Sequence, residues 1–371
     1  MGSAEDFLLP GQLVLRLIDA DDRHRSAIRG LLGIDPIPAG PSDADLTVRF
    51  VPAIRPARTL RLLGQDAATD GERFFVVRSV GGERCLIDMP LAELGHRMVI
   101  TCDAAIASVP QLVPLLNATA LVRGILPLHA SAAVLGGRGI AAAGWSKGGK
   151  TEALLAMHAA GGTPIADEWC YVDPASRVGQ GLMAPIRLSD DHLRQLGELR
   201  NLMTVARRTR MTSAGAVGRA YAAIDGRAWK RAAAARWIHR FVPLVEGQRS
   251  ADLDPRAVFG RAYEAPRLDR IALVVATEHG RTAVRNIPAS DATESMVAAH
   301  MHHRLGLDAT VRTFRFAFPA AKTKLDRLEE VERSLLLDVF GTRPVSVVEH
   351  PHPVPIAELR DALVRIAADD D

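Results

Sequence analysis

Eight consecutive residues, Gly144-Trp145-Ser146-Lys147-Gly148-Gly149-Lys150-Thr151, satisfy the pattern GxxxxGK[ST]. In such a loop the glycines let backbone N–H groups turn toward phosphate oxygens, an approach that a β-carbon would obstruct. Lys150 would supply a point charge to the β- and γ-phosphates, and the Thr151 hydroxyl is a hard oxygen ligand suited to Mg²⁺. A helix starting there would add the positive end of its dipole. The expected ligand is ATP with Mg²⁺, contacted by Gly144, Ser146, Lys147, Gly148, Gly149, Lys150, Thr151 and Glu152. Among 30 glycines such a match can arise by chance. The flanking segments argue against that, because RGIAAAG reads as a buried strand running into the loop and TEALLAMHAAGG as a helix leaving it. Lys147 stands where many such loops carry another glycine, and its side chain would lie either near the phosphates or outside the loop.

Nucleotide binding alone fits a motor, a switch, a transporter subunit or a kinase. What separates them is the acidic site in PIADEWCYVD, which places Asp167 and Glu168 at a strand end. A carboxylate there can hold the Mg²⁺ of the nucleotide, so Thr151 and Asp167 are the candidate metal ligands. A second carboxylate beside it can accept a proton from a substrate hydroxyl. The bland alternative is an exposed acidic turn.

The elements that must position these groups follow from the apolar pattern. Residues 46–102 hold short β-like runs, LTVRFVPAI, RTLRLLG, RFFVVRSV, ERCLIDMP and HRMVITC, punctuated by Gly, Pro and Asp. They predict a β-rich N-terminal domain over 1–120, with a helix from Ser108 to Gly124 leading out of it. Residues 121–371 then form the nucleotide-binding α/β part: the strands LHASAAV and RGIAAAG, the loop, a helix, and the strand TPIADEWCYVDP. Residues 190–262 read as a helical, basic cap or insertion. IALVVATEHGRTAVRNI reads as a β-hairpin turning at His279-Gly280. Three helices and the strand PVSVVEH complete the chain, and no internal repeat or coiled-coil heptad is present.

LHASAAV, GWSKGGKTE and IADEW together resemble the core of the HPr kinase/phosphorylase and HPr-kinase-like proteins, over roughly residues 125–190. That group shares its fold with the phosphoenolpyruvate carboxykinases. Glu152 directly after Lys-Thr, and His129 on the strand before the loop strand, are specific points of agreement. The chain departs from the group in having Asp-Glu where an Asp-Asp pair is usual, and Lys147 in place of a glycine. The resemblance implies that Lys150 and Thr151 bind phosphates and Mg²⁺. It implies that Asp167 and Glu168 act as base and metal partner in an order left open, and that His129 and Glu152 tune or relay the proton. GLMAPIRLSDDHL is similar to the stretch following the acidic site in HPr-kinase-like enzymes, some of which phosphorylate a serine on lasso-type peptides. That makes Arg187 a candidate phosphate or substrate ligand, against the alternative of an ordinary surface arginine.

With 46 basic and 43 acidic residues the net charge is only +3, so nothing in the overall balance supports a nucleic-acid partner. The basic side chains concentrate instead between Arg207 and Arg249, with Trp229 and Trp237 among them. They form either a cradle for an acidic substrate or a solvated helix face. The histidines of AHMHHR and EHPHP lack the spacing of a zinc motif, and no GxSxG elbow indicates a serine hydrolase. Cys85, Cys102 and Cys170 are too sparse for a disulfide framework. No signal-peptide pattern or membrane-length apolar run is present, so a cytoplasmic chain without a membrane partner is expected.

The expectation is therefore an α/β fold with a P-loop kinase core that transfers the γ-phosphoryl group of ATP to a hydroxyl acceptor on a peptide, protein or small molecule. A nucleotide-responsive switch without an acceptor is the alternative. Oligomeric state is not readable; HPr kinases form hexamers, which leaves a homo-oligomer open.

Overall fold

The computed structural model describes residues 4–41, 43–182, 184–223, 249–260, 265–342 and 344–369. Arg227, Lys230, Arg231, Arg236 and Arg240 of the basic segment, with Trp229 and Trp237, lie outside the described residues, as does the side chain of Arg219. The architecture is mixed α/β, with four sheets among the described residues.

The largest sheet is built from alternating or fully apolar runs whose inward side chains are buried. Its strands are β1 (Ala4–Leu9), β2 (Leu13–Ile18), β3 (Ile37–Pro38), β4 (Leu46–Val51), β5 (Arg61–Leu62), β6 (Ala67–Thr69), β7 (Phe74–Val80), β8 (Glu83–Asp88) and β9 (Met98–Asp103), in the order β3-β1-β2-β4-β9-β8-β7-β6-β5. Helix α1 (Asp22–Leu32) makes the crossover between the parallel strands β2 and β4. Asp21 caps it, accepting from the His24 backbone N–H, and Gly33 ends it in the left-handed region at φ 67°. The described residues before Leu46 thus contribute two long strands and the short β3 to this sheet, with α1 as the crossover.

Helix α2 (Leu112–Val122) leads to β10 (Leu126–Leu128) and β11 (Ala130–Leu135), and β12 (Arg138–Ala143) runs into the glycine-rich loop. Helix α3 (Lys150–Ala159) and β13 (Thr163–Ala166) follow, then β14 (Cys170–Val172) and β15 (Gly179–Gly181). Strands β10, β14 and β15 form a three-stranded sheet. The six-stranded sheet has the order β13-β11-β12-β18-β20-β19, with β18 (Leu268–Thr277), β19 (Ala283–Ile287) and β20 (Val345–Pro351).

This order corrects the hairpin expected at His279-Gly280. Strand β20 lies between β18 and β19, parallel to the first and antiparallel to the second. Burial decides the matter: Val345, Val347 and Val348 are buried and need a central position, whereas Ala283–Asn286 is exposed and suits an edge. The segment 190–262 is also less uniformly helical than its composition suggests. Besides α4 (Asp190–Gln195), α5 (Val205–Ala223) and α6 (Pro255–Phe259), it supplies β17 (Ser250–Leu253), which pairs with β16 (Ile186–Ser189).

Helix α7 (Ala289–Ala317) packs on β6 and β7 of the large sheet and on α2, α8 (Leu328–Phe340) packs on α7 and α2, and α9 (Ile356–Ala368) packs on α3. One apolar cluster runs from Phe7 of β1 to Val347 of β20. Within it the Phe74 ring of β7 meets Phe314 of α7 edge-on, with centroids 5.6 Å apart. No helix of the described residues is long and apolar enough to cross a membrane.

Candidate functional site

Strands β12 and β13 both run antiparallel to β11, so their carboxyl ends meet its amino end at one edge of the six-stranded sheet. Strands β18 and β20 are parallel to β12 and end there too. Ligand crevices in α/β sheets form outside such carboxyl ends. The chain also changes sheets here. It passes from β10 to β11 at His129, and from β13 to β14 through Asp167-Glu168-Trp169. The Leu128–Cys170 pairing of β10 with β14 brings the His129 ring to 5.0 Å from Trp169. Residues far apart in sequence are therefore held at one sheet junction.

The loop from Gly144 to Gly149 has a backbone that glycine permits. Gly144 (φ 151°) lies against the Val274 carbonyl, and Gly149 (φ 101°) lies against the His350 ring, so a β-carbon at either would collide. His350 is fully buried and donates from Nε2 to the Gly148 carbonyl at 2.8 Å, fastening the loop to β20. Gly149 is the N-cap of α3 and no side chain caps that end, leaving the first-turn N–H groups facing the loop. The Lys150 ammonium is buried, donates to the Trp145 carbonyl at 2.8 Å, and is pulled below the usual lysine range by burial. Lys147 adopts the left-handed region at φ 61° with its side chain exposed, which explains why glycine is common at that position and puts this lysine on the outside of the loop.

The two neighbouring acids have opposite surroundings. Asp167 is 5% exposed, accepts from the Ser131 hydroxyl at 2.7 Å, and has both oxygens 3.4 Å from the Thr151 hydroxyl. Burial pushes its carboxyl up to about 6, partly opposed by the Ser131 hydrogen bond. Glu168 has a left-handed backbone (φ 71°) that turns its side chain outward, 61% exposed. His129 Nε2 lies 3.3 Å from its carboxylate, and this hydrogen bond holds Glu168 below the usual glutamate range. Burial lowers His129 to about 4, so at neutral pH a neutral imidazole donates to an ionised Glu168.

The third wall comes from α7. His300 accepts the His129 backbone N–H on Nε2 at 3.1 Å and donates from Nδ1 to Glu332 of α8 at 2.9 Å. Arg304 also donates to Glu332, at 2.7 Å, and all three side chains are buried. One turn on, the His303 ring stands edge-on to His129 at 3.9 Å, while His302 stacks on Trp145 of the loop at 4.7 Å.

The side chains present fit a nucleotide with Mg²⁺. The Thr151 hydroxyl and the Asp167 carboxylate set hard oxygens side by side, 3.4 Å apart, and oxygen is the ligand type that Mg²⁺ takes. A carboxyl as buried as Asp167 is also one that a divalent cation would hold ionised.

The structure therefore brings together the loop, Lys150, Thr151, Asp167, Glu168 and His129. It takes Glu152 elsewhere: His192 of α4 donates from Nε2 to its carboxylate at 3.1 Å, tying α3 to the segment that leads into the basic region. Arg187 is exposed and donates to Asp252 across the β16–β17 pair at 2.8 Å, so its guanidinium pairs there and not with the cluster. Cys170 is fully buried in β14. The sequence singled out neither Ser131 nor Glu332, and it weighed His300, His303 and His350 only as zinc ligands, not as groups of this junction. The i,i+3 spacing of His300 and His303 was the available signal, marking one helix face. His350 carries none, because its partner lies across the sheet. No protein-family model matches the chain, and a search of curated proteins finds no match to it.

Proposed function

We propose that the chain is an ATP-dependent phosphotransferase of the HPr-kinase-like kind, moving the γ-phosphoryl group to a hydroxyl acceptor on a peptide, protein or small molecule. The observation that carries this reading is the division between the two acids. Asp167 is buried against Thr151 on the phosphate side, and Glu168 is exposed and ionised beside His129. A protein that only binds nucleotide has use for the first arrangement and none for the second.

On this reading the P-loop amides and the α3 amino end bind the phosphates, and the Lys150 ammonium lies against the β- and γ-oxygens. Thr151 and Asp167 would hold Mg²⁺, which supplies charge stabilisation to the phosphate oxygens when bound. Glu168 accepts the proton of the acceptor hydroxyl. The acceptor oxygen forms its bond to the γ-phosphorus as the bond to the β–γ bridging oxygen breaks, and ADP leaves with that electron pair. The His129 hydrogen bond orients the Glu168 carboxylate and keeps it deprotonated at neutral pH.

The test is incubation of the purified chain with Mg²⁺, γ-labelled ATP and serine peptides, free amino acids and sugars. Label on an acceptor supports the reading. Label in free phosphate alone, or nowhere, across peptides drawn from the neighbouring genes contradicts it.

A further inference from the structure

His300 and His303 lie three residues apart and share one face of α7, the face turned to the sheet junction. Their ring nitrogens are used differently. Both nitrogens of His300 have protein partners, the His129 backbone N–H and Glu332. His303 Nε2 is out of solvent reach and has no hydrogen-bond partner among the described residues, and the same holds for Nδ1 of the facing His129. Buried polar groups are nearly always paired, so two unpaired imidazole nitrogens on rings 3.9 Å apart point to a partner from outside the chain.

Its neighbours locate His303: the His129 ring, whose Nε2 meets Glu168, stands 3.9 Å away, Trp169 packs at 5.7 Å, and the adjacent His302 stacks on Trp145 of the loop. Lys150 marks the γ-phosphate end of the site and Glu168 the acceptor end. On that reading a side chain set beside His129, on the helix that also meets the loop, stands next to the group in transit.

We infer that His303 binds the transferring phosphoryl group, donating a hydrogen bond from Nε2 to one of its equatorial oxygens. This rests on the phosphotransfer reading above and adds α7 to the site. Burial and the Lys150 charge hold the ring near 4, so it meets that group as a neutral donor at neutral pH. Donors fixed before reaction at the atoms where charge spreads are the recurrent device of phosphoryl transfer. His300, anchored to Glu332 and to the His129 backbone, acts as the positioning residue that sets the depth of α7.

The full-length wild type, His303→Ala and His303→Gln are titrated with Mg·ADP, and with Mg·ADP plus fluoroaluminate, which mimics the group in transit. His303→Ala should bind Mg·ADP within about twofold of wild type and the fluoroaluminate complex about tenfold more weakly, the loss expected for one hydrogen bond to a charged group. His303→Gln should recover part of that loss. Equal fluoroaluminate affinity in wild type and His303→Ala overturns the inference. Parallel weakening of both ligands also overturns it, since it marks a structural disturbance. A wild type that binds no Mg·ADP overturns the phosphotransfer reading itself, and the inference with it.

Discussion

Asp167 and Glu168 are adjacent in the chain, yet the left-handed backbone of Glu168 sends one carboxylate into the junction and the other toward solvent. A second left-handed residue, Lys147, separates loop strain from ligand binding. Its exposed side chain contributes no hydrogen bond to the loop, while a β-carbon in that region costs about 1–2 kcal/mol, partly offset by glycine's larger loss of freedom on folding. Lys147→Gly should therefore raise stability by up to about 1 kcal/mol in urea denaturation and leave Mg·nucleotide affinity unchanged. Weaker nucleotide binding would show that this lysine reaches the phosphates after all. The loop and the acids were legible as residue types at recognisable spacings, and His129 only through the family resemblance. That Asp167 would be buried beside Thr151 and Glu168 turned to solvent was not, because burial and φ are properties of the sheet junction and not of the two letters.

Among the elements, α7 is held in place by an ionic contact that its neighbours depend on. Burial alone would raise the Glu332 carboxyl, but the His300 hydrogen bond and the Arg304 charge more than offset it, so its pKa falls below the usual glutamate range. A carboxylate with a lowered folded pKa contributes stability above its unfolded pKa and loses it as pH falls through the folded value. That contribution should accordingly be complete at neutral pH and fade below about pH 4. Glu332→Gln leaves Arg304 buried without its counter-charge and should cost about 3–5 kcal/mol at pH 7, with a shrinking difference from wild type as pH falls below about 4. Urea denaturation at several pH values measures both; a constant difference across pH would sink the ionic account. This arrangement could not be read from the sequence, since Glu332 and His300 are joined only when α7 and α8 pack. The hairpin expected at His279-Gly280 failed for a related reason. A turn signal is local, whereas the preference of Val345–Val348 for a buried central strand is satisfied by the whole sheet.

At the scale of the molecule, the β-rich first hundred residues and the sheet that carries the site share one apolar cluster. Phe74 and Phe314, both buried, meet within it. Phe314→Ala should cost about 3–5 kcal/mol and lower the unfolding midpoint of tryptophan fluorescence, whose described reporters Trp145 and Trp169 lie at the site, together with that of far-ultraviolet circular dichroism. A shift in one probe without the other would mean that the two parts unfold independently. The mixed α/β class and the strand positions between residues 46 and 103 were legible from alternation and turn residues. The shared core was not, because nothing in a single strand states what will cover it. The most direct test of the whole account is Glu168→Gln, assayed for Mg·ATP affinity and for transfer of labelled γ-phosphate. The account predicts affinity within about threefold of wild type and turnover reduced about 10²- to 10⁴-fold, the range for losing a positioned base. Turnover equal to wild type with a demonstrated acceptor would contradict it.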